Sequence, residues 1–360
     1  MTLAVNIAQG GSNNVTFRNR IINGAMVIDQ RNAGASVTPT SGSYTLDRWK
    51  IYCSQASKFS VQQNAGSVTP PVGFTNYLGV TSLSAYTVGA GEEFDVCQFI
   101  EGYNVADLGF GSANAKTVTL SFWVRSSLTG TFGGALQNSG SSRSYVFSYT
   151  ISSANTWEQK SITITGDTSG TWLTTNGLGI SCNFGIGQGS SVSNTAGSWY
   201  AGNYVNVTGG TSVVGTNGAT WYVTGVQLEA GTTASPFEYR QYTTELSLCQ
   251  RYYYKIKADS GSSMFGSGFN YNGTSAVGLI KFGVTMRITP TALEQNGTAG
   301  DYRVFVPSAA ITCTGVPTFD GACVESADVQ FNTANVLTAG QGIFLRATNS
   351  SAYLAWSAEL

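Results

Sequence analysis

The chain has no histidine in 360 residues. A Ser-His-Asp triad, a Cys-His pair and a His-ligated metal site all need an imidazole to move a proton or donate a lone pair. All three are excluded. Glycoside hydrolysis needs only two carboxylates, so the acids are weighed separately. Glu92, Glu93, Asp95 and Glu101 lie close together in sequence, and Asp47 adjoins Arg48. Most of the 19 acidic residues stand singly beside turns or opposite an arginine, which is the pattern of solvated or structural carboxylates. No catalytic residue is assigned. Neither GxGxxG nor GxxxxGK[ST] occurs between a strand and a helix. The six cysteines, Cys53, Cys97, Cys182, Cys249, Cys313 and Cys323, form no CxxC pair. Each sits among apolar residues, so buried free thiols are expected, and Cys313 with Cys323 is the one pair worth testing as a disulfide.

The chemistry on offer is aromatic stacking beside hydrogen-bond donors. In TVTLSFWVRSS, alternation puts Leu120, Phe122 and Val124 on one face and Thr119, Ser121, Trp123 and Arg125 on the other. A sugar ring stacks its CH face on an indole while its hydroxyls meet a guanidinium, so Trp123 and Arg125 are glycan-binding candidates. The alternative is that Trp123 lies under a loop or at a subunit interface. The stretch 187–220 is long and polar and carries Trp199, Tyr200 and Tyr204. Rigid rings in a Gly/Ser/Asn loop suit recognition; equally, they could plug one end of a sandwich.

These residues need strands to position them. Charged residues are only 10% of the chain, Gly numbers 44 and aromatics reach 12%, a composition that fits strands and turns and fits long helices poorly. TLDRWKIYC, KFSVQQ, EEFDVCQFIEG, TVTLSFWVRSS, SYVFSYTIS, WEQKSITITG, GLGISCNFGIG and WYVTGVQLE alternate as strands do. FRNRIINGAMVIDQRNAG reads as a strand turned at Asn23-Gly24. The expected fold is all-β, an antiparallel jelly-roll sandwich followed by a second, smaller β domain. Its divisions are an extended arm over 1–16, the jelly roll over 17–233, a linker with a short helix over 234–251, and a C-terminal β domain over 252–360. The helix is signalled by Thr243 or Thr244 as N-cap with Glu245 in the first turn. The terminal strand, Tyr353 to Leu360, reads as an apolar edge, which favours oligomerisation.

A net charge of −1 without a basic block supplies no counterion-release term, so nucleic-acid binding is not expected. No apolar run is long enough to cross a membrane, and MTLAVNIAQGGSNN lacks the layout of a secretory signal.

The stretch VTGVQLEAGTTASPFEYRQYTTELSLCQRYY, together with FRNRIINGAMVIDQRNAG, TLDRWKIY and TVTLSFWVRSS, resembles tail-fibre and related surface proteins of tailed bacteriophages. The last of these also resembles carbohydrate-binding modules of families four and nine, which are jelly rolls. The resemblance covers roughly residues 17 to 256. It implies a virion surface protein made in the host cytoplasm, usually trimeric, that attaches to host polysaccharide. A capsid decoration protein without a glycan ligand is the alternative, and a glycan depolymerase is disfavoured by the missing catalytic constellation and the lack of β-helix repeats. Residues 1–16 would dock onto another virion protein through Leu3, Val5 and Ile7. No cofactor is expected. Modules of this kind often hold a structural Ca²⁺, but Thr224-Gly225 stands where many carry paired acids, leaving Glu229 as the nearest carboxylate.

Overall fold

The computed structural model describes residues 17–360; the proposed docking residues Leu3, Val5 and Ile7 lie outside the described residues. The chain divides into two compact units, the first ending at Tyr242 and the second spanning Thr243–Leu360.

The first unit contains β1 (Trp49–Cys53), β2 (Phe59–Gln63), β3 (Leu78–Ser82) and β4 (Glu93–Glu101). These are followed by β5 (Val118–Ser126), β6 (Gly130–Gln137), β7 (Arg143–Ile151), β8 (Glu158–Ile164) and β9 (Leu178–Gln188). The short β10 (Ser193–Asn194), β11 (Ser198–Ala201) and β12 (Asn206–Val207) precede the long β13 (Thr220–Ala230). Two antiparallel sheets result, one of six strands in the order β1-β4-β9-β6-β7-β11 and one of five in the order β2-β3-β13-β5-β8. Sequence neighbours repeatedly fall in opposite sheets, as a jelly roll requires. The alternation read from sequence fills the space between them: Leu120, Phe122 and Val124 face Ile180, Cys182, Phe184 and Ile186, all buried. Phe184 is the hub, with ring centroids 5.0 Å from Phe122, 5.7 Å from Trp221 and 6.4 Å from Trp49. The buried Trp221 Nε1 donates to the Tyr149 hydroxyl at 3.0 Å, so this core leaves no polar cost there.

Asn23-Gly24 does not turn a hairpin. Asn23 takes a left-handed conformation, and its buried side chain donates to the carbonyls of Ile28 and Asp47 while accepting the Ile28 N–H. Gly24 lies against β13, where a Cβ would stand 2.2 Å from the Val226 carbonyl oxygen. The dipeptide marks a close backbone approach, the other use of glycine. Here β13 bulges between Thr224 and Gln227, and the incoming chain bonds it through Arg20 N–H to Leu228 and Val226 N–H to Gly24. The Glu238 carboxylate accepts the N–H groups of Phe17, Arg18 and Asn19, and the Arg240 guanidinium donates to the carbonyls of Asn19 and Ile21. The two ends of the unit are thus clasped together.

The stretch 187–220 is not a free loop. Its β11 extends the six-stranded sheet by pairing with β7, and β10 pairs with β12 in parallel.

The second unit opens on α1 (Tyr242–Gln250), whose first residue closes the first unit, and continues with β14 (Tyr253–Lys257), β15 (Met264–Asn270), β16 (Ser275–Lys281) and β17 (Glu294–Gln295). Then come β18 (Tyr302–Val306), β19 (Ala309–Thr312), β20 (Thr318–Ala322), β21 (Ser326–Asn332), β22 (Gly342–Ala347) and β23 (Tyr353–Ser357). They form sheets ordered β14-β23-β17 and β19-β18-β22-β15-β16-β21-β20. The terminal strand is therefore not an edge. β23 is paired on both sides, and its Leu354 and Trp356 are fully buried in the core of this unit. All six cysteines are free, with Cys313 buried and Cys323 exposed, so the pair considered as a disulfide is not one. Among the described residues no helix is long and apolar enough to cross a membrane.

Candidate ligand-binding cleft

Because side chains alternate across a strand, the residues of the six-stranded sheet that do not enter the core point to its other face. There they line up in register across five strands: Phe99 beside Ser181, Ser181 beside Gln137, Gln137 beside Ser144, and Ser144 beside Tyr200. A neighbouring position pairs Tyr52 with Asp95. This face carries a cleft of about 250 Å³ lined by Tyr52, Glu93, Asp95, Phe99, Gln137 and Asn183, among others.

Its floor is a network of amides and hydroxyls. The Gln137 side-chain N–H₂ donates to Asn203 Oδ1 at 2.7 Å, Ser144 Oγ at 3.1 Å and the Tyr204 carbonyl at 3.2 Å. Its oxygen accepts from Asn183 Nδ2 at 3.0 Å, and Ser181 Oγ donates to Asn183 Oδ1. Such a network holds each amide in one orientation, so the polar atoms facing the cleft are placed before any ligand arrives. At one end Tyr52 and Phe99 lie 6.1 Å apart. The Lys50 ammonium sits 4.4 Å from the Phe99 ring centroid and 5.3 Å from that of Tyr52, steadying both rings by cation–π attraction.

Two acids complete the site. Asp95 is fully buried and is held well above the usual carboxylate range, first by burial and then by the neighbouring Glu93, with the Gln188 hydrogen bond opposing. Burial also raises Glu93. The Tyr52 phenol is pushed up to about 12, chiefly by burial, with Cys97, Glu93 and Asp95 adding to it. Asp95 Oδ1 accepts from Gln188 Nε2 at 2.8 Å. By contrast, Glu93 Oε2 is buried with no hydrogen-bond partner. A buried oxygen in that state costs free energy until something donates to it. The Tyr52 ring at one end and fixed amides along the floor suit a ligand with apolar faces and many hydroxyls.

The five sequence candidates separate. Trp123 and Arg125 lie on the outer face of the five-stranded sheet, across the sandwich from the cleft, and both are half-buried. A Cβ at Gly225 would lie 2.6 Å from Phe74 and 3.2 Å from Trp123, so the indole is packed in close. Arg125 donates to the Asn155 carbonyl at 2.9 Å and stacks on Tyr222. That face is covered: Phe74, Phe237 and Tyr239 pack edge-on or tilted against one another, and Trp157 donates to the Thr69 carbonyl while packing on Tyr77. Trp199 is no exposed loop ring. It packs edge-on against Phe110, Tyr145 and Trp172, and its Nε1 donates to the Thr165 carbonyl at 2.7 Å. Tyr200 and Tyr204 do not line the cleft; they lie 5.8 Å apart beside Ser144 and Asn203, the latter being part of its lining. Glu229, considered as a calcium ligand, accepts from Gln227, the Ser235 N–H and the Ser235 hydroxyl.

No protein-family model matches the chain, and no curated protein matches it. Among solved structures, a Bacteroides thetaiotaomicron protein whose sugar binding is itself only inferred aligns at 11% identity and a TM-score of 0.35, covering 59% of this chain and 100% of that one. A module in complex with β-1,4-galactotriose aligns at 10% identity and 0.31, with 59% and 99% covered. The enzymatically active domain of bacteriophage CBA120 tailspike protein 4 aligns at 12% and 0.32; 59% of this chain covers only 21% of the tailspike chain. At such scores these likenesses carry no weight for the assignment of function, which rests on the cleft.

Proposed function

We propose that the protein binds carbohydrate in the cleft of the six-stranded sheet, and that it does so as a virion surface protein that attaches a phage to its host. The observation that carries the glycan reading is the row of prearranged amides along the cleft floor, beside the half-buried Tyr52 ring. Saccharide hydroxyls bond to the amides that line the cleft, and a pyranose face stacks on the Tyr52 ring. The phage setting is supported by the resemblance of residues 17 to 256 and by the low share of charged residues, 10% of the chain.

Binding fits this site better than cleavage. Glu93 and Asp95 are two apart on one strand, so both approach a bound chain from the same side. A glycosidase needs its carboxylates on either side of the scissile bond. A single shallow site of this type binds at roughly millimolar strength, about −4 kcal/mol, and linked copies on one particle raise that about a hundredfold or more.

The test is adsorption of the whole protein to a panel of envelope polysaccharides. Tyr52→Ala, with its fold confirmed, is expected to abolish adsorption, and Trp123→Ala to leave it intact. Retention by Tyr52→Ala would move the site elsewhere. If the wild type adsorbs to none of the panel and maps to the capsid lattice, the protein is a decoration and not an adhesin.

A further inference from the structure

The amides of the cleft floor all point one way. Asn183 Nδ2 donates to the Ala135 carbonyl at 3.3 Å, and Gln137 Nε2 donates to the Tyr204 carbonyl at 3.2 Å. A backbone carbonyl can only accept, so these two bonds fix which end of each amide is the nitrogen. The remaining contacts then have a single direction. Ser181 Oγ donates to Asn183 Oδ1 at 2.9 Å, Asn183 Nδ2 donates to Gln137 Oε1 at 3.0 Å, and Gln137 Nε2 donates to Asn203 Oδ1 at 2.7 Å. Asn203 is the last member of this series. With its oxygen held by Gln137, its Nδ2 is left over, and among the described residues that nitrogen has no acceptor. Asn203 is exposed and lines the cleft.

The two ends of the series offer different things to a ligand. The Ser181 proton is already bonded to Asn183, so toward the cleft its oxygen can only accept. Asn203 offers N–H donors. Each bond strengthens the next by about 10–30%, so the donor at this end is stronger than that of an isolated side-chain amide. The backbone around Asn203 is held on both sides: Gly202 N–H donates to the Ser142 carbonyl at 3.0 Å, the Ser144 hydroxyl to the Gly202 carbonyl at 2.6 Å, and Tyr204 N–H to Ser144 Oγ at 3.1 Å. A donor placed this firmly loses little freedom when a ligand arrives. We infer that Asn203 is a ligand-contact residue and that the cleft has a polarity, with an acceptor oxygen of the saccharide at the Asn203 end and a donating hydroxyl at the Ser181 end. The inference rests on the carbohydrate reading of the cleft. The acceptor is a carboxylate, an acetamido carbonyl or a hydroxyl turned to accept, all of which share this chemistry.

The test is the adsorption isotherm of the full chain on neutral, N-acetylated and uronate-containing polysaccharides, with folding checked by circular dichroism and urea midpoint. Asn203→Asp keeps the oxygen that Gln137 bonds and replaces the outward N–H₂ by a second oxygen. It is expected to leave the urea midpoint near that of wild type and to weaken adsorption about tenfold or more. Asn203→Ala removes the donor without adding a repelling oxygen, so it should weaken adsorption by a smaller factor. A merely structural role gives the opposite order, because alanine also takes the acceptor away from Gln137. The polysaccharides on which both variants fall show whether the acceptor is a hydroxyl, an acetamido carbonyl or a carboxylate. An Asn203→Asp protein that adsorbs like wild type, or better than Asn203→Ala, overturns the inference and leaves the carbohydrate reading standing. A wild type that adsorbs to no polysaccharide ends that reading and the inference with it.

Discussion

Asp95→Asn tests the physical state of the cleft directly. In the folded protein the Asp95 carboxyl is fully buried and keeps its proton far above the ordinary 3.8. The unfolded chain releases that proton near 3.8, so between that value and the raised folded one the unfolded state binds fewer protons. Stability from this group is therefore fully present below about pH 4 and declines as pH rises, by about 1.4 kcal/mol per unit, until the folded value is reached. Asparagine has nearly the same shape, keeps an oxygen for the Gln188 Nε2 donor, and never ionises. Glu93, raised in the same direction, is present in both proteins and largely cancels from their difference. The variant should thus match wild type near pH 4 and exceed it by an amount that grows with pH until the raised folded value is reached. For a unit of this size each 1 kcal/mol moves the melting temperature about 2–4 °C, so the gap should widen by about 3–5 °C per pH unit. Melting of both proteins is followed by near-UV circular dichroism from pH 4 to 8. A gap that stays flat, or a wild type more stable than the variant at pH 7, would refute the reasoning and show that Asp95 ionises in an open, wet site.

Two further outcomes follow from contacts described above. Trp199→Ala should cost about 2–3 kcal/mol in urea unfolding, through the lost packing against Phe110, Tyr145 and Trp172, while the folded variant still adsorbs polysaccharide; normal stability with lost adsorption would return Trp199 to the binding site. Glu238→Ala leaves the N–H groups of Phe17, Arg18 and Asn19 without their acceptor and should destabilise the first unit by about 1–3 kcal/mol, and an unchanged urea midpoint would mean that water serves them equally well.

The strands β1, β4, β5, β7 and β13 were legible because one side of each is predominantly apolar, although Gln98 sits on that side of β4. β6 was not, since Gly133 and Gly134 interrupt its pattern. They are there because a Cβ on Gly134 would lie 2.0 Å from the Asn183 carbonyl oxygen and 2.6 Å from the Phe147 ring; tight strand approach hides the strand that it demands. Losing β6 also hid Gln137, the centre of the cleft floor. Alternation did place Lys50 and Tyr52 opposite Trp49, and the acidic cluster containing Glu93 and Asp95 was visible. What alternation alone leaves open is which sheet keeps an open outer face. Segments far apart in sequence, around Phe74 and Phe237, cover the five-stranded sheet and shut Trp123 in. Nothing local to Trp123 announces that cover. Residue type therefore drew attention to the indole, while the open face belonged to Tyr52.

The clasp around Glu238 has a consequence for modularity. With the backbone N–H groups of Phe17 and Asn19 bonded to the Glu238 side chain, the chain comes into the sandwich and departs from it at nearly one point. A unit built this way can be spliced into a loop of an unrelated host chain without forcing the flanking segments apart.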